Sequence, residues 1–220
     1  MKQFALVTEG VTDYLVLKPI LQNYFSEEPI IRQIRPEIND SEHETGGPGG
    51  FRQVLDFCKS DSINEILKEN DFVVIQIDSD VSPSRGFGIP HKINGFDIEL
   101  TELYTSIIDH LKSLFPVSVA PISFNKIIFA IGIHSIECWL IPVLAPEGPN
   151  ITHLCLTILN DELREAGMFQ IPKRRKNSTR SKDSYSKLTK AFSSKKEITR
   201  IANYNVGFKK FVESLNEIEV

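Results

Sequence analysis

Short, wholly apolar runs alternate along this chain with longer stretches in which apolar residues return every three or four positions. Phe4-Ala5-Leu6-Val7 is one such run, ended by Glu9-Gly10, and it predicts a buried first strand. Over 11–25, Tyr14, Leu15, Leu17, Ile20, Leu21 and Tyr24 keep helical spacing, with Thr8 or Thr12 as cap. Pro19 inside that stretch predicts a kink or a helix in two pieces. A weaker strand candidate covers 29–35, a polar, glycine-rich loop covers 39–50, and short helices are expected over 51–59 and 62–68. The clearest strand is 72–77, β-branched and apolar, which runs directly into Asp78-Ser79-Asp80. Pro83, Gly86, Gly88, Pro90 and Gly95 predict a long loop over 81–95, and 96–115 reads as an amphipathic helix. Another buried strand is expected at 126–133, then the start of a helix over 135–141 that Pro142 disturbs. From 151 onward the pattern is helical with a basic interruption.

Strands alternating with helices predict an α/β fold, with a mostly parallel sheet covered on both faces. At 220 residues the chain suffices for one domain with a sizeable appendage, and no staple is needed to stabilise it. We expect a sheet domain over 1–145 and a helical, partly basic extension over 146–220 packed on it. In such sheets the ligand-handling residues gather at the carboxyl ends of strands. Glu9, Asp78 and Glu137 fall just there. Cys58, Cys138 and Cys155 form no CxxC pair and no Cys/His cluster of zinc spacing, so free thiols in a reducing cytosol are expected. Thr8-Glu9 comes too early for a signal peptide's apolar segment, and no apolar run approaches the roughly 20 residues of a membrane span. The expectation is a cytoplasmic protein without a membrane partner.

Charge is unevenly placed. The whole chain carries −4, yet 172–196 holds ten Lys/Arg against Asp183 alone, a local +9 that leaves −13 for the remainder. An acidic body with one basic segment suits a protein that holds cations in one place and a polyanion in another, although a solvated basic loop has the same composition. Carboxylates converging from separate strand ends supply the oxygen ligands that a hard cation such as Mg²⁺ or Mn²⁺ requires. Two such ions about 4 Å apart can activate the attacking water and stabilise the leaving oxygen of a phosphodiester. Asp78 and Asp80 lie two apart where the chain leaves its strand. Glu9 and Asp13 lie four apart and share a face if Gly10 lets the helix begin at once. Each alone is a weak signal, because an Asp at a strand end is commonly a turn former or cap. The combination is more specific than any part.

Leu6-Val7-Thr8-Glu9-Gly10-Val11-Thr12-Asp13 resembles the first motif of TOPRIM domains, a strand followed by Glu-Gly and an acid four after the Glu. Ile75-Gln76-Ile77-Asp78-Ser79-Asp80 resembles their second, a hydrophobic strand followed by Asp-x-Asp. Ile136-Glu137-Cys138-Trp139-Leu140 is similar to the Glu-x-Trp-Leu segment of the RloB-like branch, small TOPRIM proteins found with anti-phage and restriction-linked loci; OLD-type nucleases are related. More loosely, 46–58 and Tyr185-Ser186-Lys187-Leu188 are compatible with it. The likeness covers 4–144 in pieces. It implies a TOPRIM-like catalytic domain, a Mg²⁺-dependent nuclease acting on DNA or RNA, and an effector role in bacterial antiviral defence. A separate ATPase subunit is implied too, since no Walker sequence occurs here, or else assembly into a homodimer. By the same resemblance Glu9, Asp78 and Asp80 are metal ligands, Asp13 completes one site, and Glu137 holds a second ion or acts as general base. There is one departure: Ser82 stands where many TOPRIM domains carry a third acid. Glu137 would supply the missing carboxylate; otherwise Ser82 favours the alternative of a non-catalytic binding or scaffold subunit.

Lys173, Arg174, Arg175, Lys176, Arg180 and Lys182 are the nucleic-acid-binding candidates, through sequence-independent phosphate contacts that weaken with salt. Lys187 and Lys190 join that face if 185–192 is helical. The glycines of 46–50 form no phosphate-cradling loop, because no Gly-Lys-Ser/Thr follows; a flexible loop near the active site is expected. His134, beside the acids, is either a water- or phosphate-orienting group or a structural hydrogen-bonder. His43 and His91 have no partner at metal spacing, and Trp139 is expected in the core.

Overall fold

The structure, a computed structural model, describes residues 1–38, 50–146, 151–173 and 178–218. In chain order these form β1 (Gln3–Val7), α1 (Val11–Tyr24), β2 (Ile30–Arg35), α2 (Phe51–Lys59), α3 (Ser62–Glu69), β3 (Phe72–Asp78), β4 (Lys92–Ile93), β5 (Phe96–Asp97) and α4 (Leu100–Ser113). Then follow β6 (Ile127–Gly132), α5 (Ile141–Leu144), α6 (Cys155–Glu165), α7 (Thr179–Thr189), α8 (Lys195–Ala202) and α9 (Val206–Glu217). Single 3-10 turns occupy Ser79–Val81 and Ile136–Trp139. The predicted glycine-rich loop, apart from Gly50, lies outside the described residues.

Four strands make one parallel sheet in the order β2-β1-β3-β6. Strands this apolar must be covered on both faces, and the two-residue period of a strand assigns each side chain to one of them. Phe4, Leu6, Val74, Ile128 and Ala130 face a layer of α1 and the C-terminal helices. Ala5, Val7, Val73, Ile75, Ile77, Phe129 and Ile131 face α2, α3 and α4. The first layer is organised around Trp139, whose ring stacks on Phe208 at 4.5 Å between centroids and lies 5.6 Å from that of Phe211. Full burial of each such Phe stabilises the fold by about 2–3 kcal/mol. Gly207 lets α9 approach β6 closely; a Cβ there would collide with the Ile131 carbonyl oxygen. The same alternation that buries Val74 turns Gln76 and Asp78 toward the α1 and α7 side.

Several expectations need correction. Of the two outcomes expected at Pro19, a kink or two pieces, the second is not what is seen: α1 is a single element, and burial of Val16, Leu17, Ile20 and Leu21 holds it where one backbone hydrogen bond is lost. Its cap is Gly10 with no side-chain bond, while the Thr8 hydroxyl donates to the Gly10 carbonyl. Pro142 falls in the first turn of α5, where the ring is tolerated, so it begins a short helix instead of disturbing one. The predicted 81–95 loop contains β4, and β5 takes the start of the predicted 96–115 helix. These strands form a hairpin closed by Asn94 (φ 53°) and Gly95 (φ 85°), the left-handed pair a two-residue turn demands. Phe96 is thereby left 79% exposed on the hairpin, and α4 starts at Leu100 behind its Glu99 cap.

Cys138 and Cys155 are not free thiols. They form a disulfide, with Cα atoms 5.0 Å apart, because α6 returns to the 3-10 turn after β6 across 17 positions of chain. Cys58 is a buried free thiol, and burial pushes its pKa up to about 12. Among the described residues, no helix is long and apolar enough to cross a membrane.

Candidate metal centre

The strand order makes the chain leave β1 toward β2 on one side and return as β3 on the other. Such a reversal opens a crevice outside the carboxyl ends of the two strands. Glu9 follows β1 by two residues, Asp78 ends β3, and Asp13 lies in the first turn of α1. Asp80 occupies the 3-10 turn after β3, and Glu137 the one after β6. The tips of β1 and β3 are tied by a closed set of hydrogen bonds. The Asp78 amide donates to Glu9 Oε1 at 2.7 Å, and the Glu9 amide donates to Gln76 Oε1 at 3.0 Å. Gln76 Nε2 then donates to Asp78 Oδ1 at 2.9 Å. Gly132 stands opposite Asp78 in register, and a Cβ there would collide with Asp78 Oδ1. A Cβ on Gly10 would sit 3.2 Å from Asp13 Oδ2. Two glycines therefore leave room for two carboxylates.

Asp13, Asp78 and Glu137 are buried, Glu9 is half-buried, and Asp80 is exposed at the rim. Burial, followed by the charges of Asp13, Glu9, Glu137 and Asp80, pushes the Asp78 carboxyl well above its ordinary 3.8. The structure thus brings all five predicted carboxylates into one electrostatic neighbourhood around Asp78. Asp13 is the acid in the first turn of α1, at the positive end of the helix dipole. On the α7 side, Tyr185 donates its phenol to Glu137 Oε1 at 2.7 Å. Burial, then the Glu137 charge, pushes that phenol well up, so it remains a donor.

Tyr185 and Gln76 are the site residues that the motifs alone do not single out. Gln76 has a faint signal, one amide in a β-branched strand. Tyr185 is 48 positions from its partner, and only its loosely matching Tyr-Ser-Lys-Leu context marks it.

His134 adopts a left-handed conformation (φ 65°) that binds the two turns together. Its amide donates to Ser79 Oγ at 2.7 Å, and its carbonyl accepts from the Asp80 amide at 3.0 Å. Burial lowers its imidazole pKa against the opposing pull of Asp80 and Glu137. Ser82, the position without the third acid, is buried and faces its own loop. Its hydroxyl donates to the Ile89 carbonyl at 2.9 Å and meets His91 Nε2 at 3.1 Å. Since His91 Nε2 also reaches the Ser79 carbonyl at 2.7 Å, that nitrogen carries the proton. A cleft of about 610 Å³ adjoins the centre, lined by Ser79, His91, Glu99, Leu103, His134 and His153 among others. None of the five carboxylates lines it; it runs past their backbone neighbours.

Of the basic candidates, Arg174, Arg175 and Lys176 lie outside the described residues. Lys173 and Arg180 are exposed, and Arg180 packs 5.7 Å from the centre of the Phe169 ring. Lys182 precedes Tyr185 by three residues in α7 and so shares its face. Lys187 pairs with Asp183 at 2.8 Å.

The donors are carboxylate oxygens alone, positioned by backbone, glycine and amide, and Asp78's raised carboxyl is what a divalent cation would relieve. Oxygen donors are the kind a hard divalent cation takes, but among the described residues the ligand atoms lying within 4.8 Å of one another as a group are those of His134, Cys138 and Cys155, not those of the five acids. Comparisons with family models, with curated proteins and with solved structures find no match to this chain.

Proposed function

We propose that this protein is a TOPRIM-like, metal-dependent nuclease that hydrolyses phosphodiesters of DNA or RNA, with Mg²⁺ or Mn²⁺ held by Glu9, Asp13, Asp78, Asp80 and Glu137. The observation that carries this reading is the placement of Asp78 at the buried end of β3, tied to Glu9 through its own amide, where burial first and then the charges of Asp13, Glu9, Glu137 and Asp80 push its carboxyl up. A divalent cation at such a site supplies charge neutralisation and activation of bound water. The chain's own groups have distinct tasks. Gln76 fixes the orientation of Asp78 and the position of Glu9; the Tyr185 phenol fixes Glu137 and shields it from water. His134, its basicity lowered, sits beside Asp80 as a group to orient water or phosphate. Lys173 and Arg180, with 174–176, offer phosphate contacts, and the cleft past Ser79 and His134 is the approach for the strand.

The defence role and the separate ATPase partner rest on the motif resemblance alone, as does homodimer assembly. The scaffold alternative draws on Ser82, whose hydroxyl donates to the Ile89 carbonyl where a third acid would stand. The test is to incubate purified protein with plasmid and with structured RNA, with and without Mg²⁺ or Mn²⁺, alone and with the partner ATPase. Metal-dependent cleavage that Asp78→Asn abolishes is expected. Inertness under every condition, or biological activity kept by the Asp78→Ala/Asp80→Ala double variant, would overturn the nuclease reading.

A further inference from the structure

A second group of ligand atoms lies beside the carboxylates and differs from them in kind. An imidazole nitrogen of His134 and the sulfurs of Cys138 and Cys155 all lie within 4.8 Å of one another. Both cysteines are buried and His134 is half-buried. His134 Nδ1 is itself buried and has no hydrogen-bond partner among the described residues. Burying an imidazole nitrogen without a partner is costly, and such atoms usually have a role that a bare chain does not display. The three residues come from a fixed frame. His134 is pinned by Ser79 and Asp80, Cys138 sits in the 3-10 turn below it, and Cys155 opens α6.

We propose that His134, Cys138 and Cys155 form a soft-metal site of the Zn²⁺ class when the two sulfurs are thiols, and that the disulfide is the metal-free, oxidised form of that site. Two thiolates and one neutral imidazole are the ligand set of a three-residue zinc site whose fourth position holds water. A carboxylate cluster attracts hard cations; thiolate and imidazole select zinc and its borderline relatives. The two centres therefore discriminate between metals although Glu137 and Cys138 are neighbours in sequence. Conversion needs a dithiol reductant. Two of its S–H groups reduce the Cys138–Cys155 bond, yielding two protein thiols and one reductant disulfide. Binding of Zn²⁺ then releases two protons from those thiols, with no further change of oxidation state. Burial of both sulfurs suits this site.

The experiment uses the full chain. After reduction by a dithiol, removal of the reductant under anaerobic conditions and titration with Co²⁺, one equivalent is expected to bind with a thiolate-to-cobalt charge-transfer band that Zn²⁺ bleaches. Cys138→Ser and Cys155→Ser should lose the band, while Cys58→Ser and Asp78→Asn keep it. Without any variant, Zn²⁺ should protect Cys138 and Cys155 of the reduced wild-type protein from alkylation, and the oxidised protein should bind no Co²⁺ through sulfur. A band that survives Cys138→Ser, or reduced protein whose two thiols alkylate equally fast with and without Zn²⁺, would refute the proposal.

Discussion

The acidic end of the sheet and the basic segment of 172–196 are opposite in how they are built, not only in charge. The acids come from the end of β3, from α1 and from the segments after β1, β3 and β6, yet the charges of four of them converge on Asp78, and Glu9 and Asp78 are tied by bonds of 2.7–3.0 Å through Gln76 and the strand tips. The basic residues come from one continuous stretch. Those described stand at the surface or half-buried on α7 and α8, Lys187 paired with Asp183 and Lys195 set over the Tyr24 ring. A polar group buried among others is fixed by the fold and costs the fold something. A cation on a solvated helix costs little and is replaceable by its neighbour. Substitutions at the two regions should therefore differ in size and in kind.

The largest effect is expected from Asp78→Asn. Cleavage should fall by on the order of 10²–10³-fold, as suits the loss of several kcal/mol of metal-centred stabilisation. The same variant should melt higher than wild type in the presence of a chelator, because it removes a carboxyl whose charged form is disfavoured by burial and by its acidic neighbours. The sign follows from Asp78's raised carboxyl. Its pKa is above the ordinary 3.8 in the folded state, so its stabilising contribution is complete below that value and is lost as pH rises through the folded-state one. Calorimetry of metal-stripped wild-type protein should show the melting temperature falling over that rise, an effect that Mg²⁺ offsets and Asp78→Asn flattens. A flat wild-type profile would break the contrast drawn above.

Next in size is the pair Gly132→Ala and Gly207→Ala. Each added Cβ collides with an oxygen, of Asp78 in one case and of Ile131 in the other. Both should destabilise by about 1–3 kcal/mol in denaturant melts. Only Gly132→Ala should also lose metal affinity in a calorimetric titration. Tyr185→Phe comes third: removal of the buried donor to Glu137 should cost about 1–2 kcal/mol of stability and weaken metal binding. Smallest is Arg180→Ala or Lys173→Ala. Each should weaken nucleic-acid binding evenly across sequences and reduce the logarithmic salt dependence by about 1 if it contacts a phosphate. A loss of cleavage as large as that of Asp78→Asn would move the basic residues into the centre itself.

The sheet was legible because β1, β3 and β6 are apolar runs, each needing cover on both faces, and because Asp78 ends one of them and Glu9 follows another. What lay beyond sequence reading was every feature that depends on distant chain. Cys138 meets Cys155 only after α6 folds back, and Tyr185 meets Glu137 only after α7 does. The β4–β5 hairpin escaped because strands of two residues carry no periodicity, although Asn94-Gly95 is the turn signal itself. For the basic run, composition revealed the charge, but 174–177 lie outside the described residues.

Gln76 sits where its neighbours are valine and isoleucine, and its amide has only one workable orientation, carbonyl to Glu9 and nitrogen to Asp78. The frame of the pocket is thereby drawn by the chain and not by its guest. If the centre holds an ion as proposed, a chelator should withdraw it and leave the walls standing, so that loading and stripping can be repeated on the same sample without a refolding step between rounds.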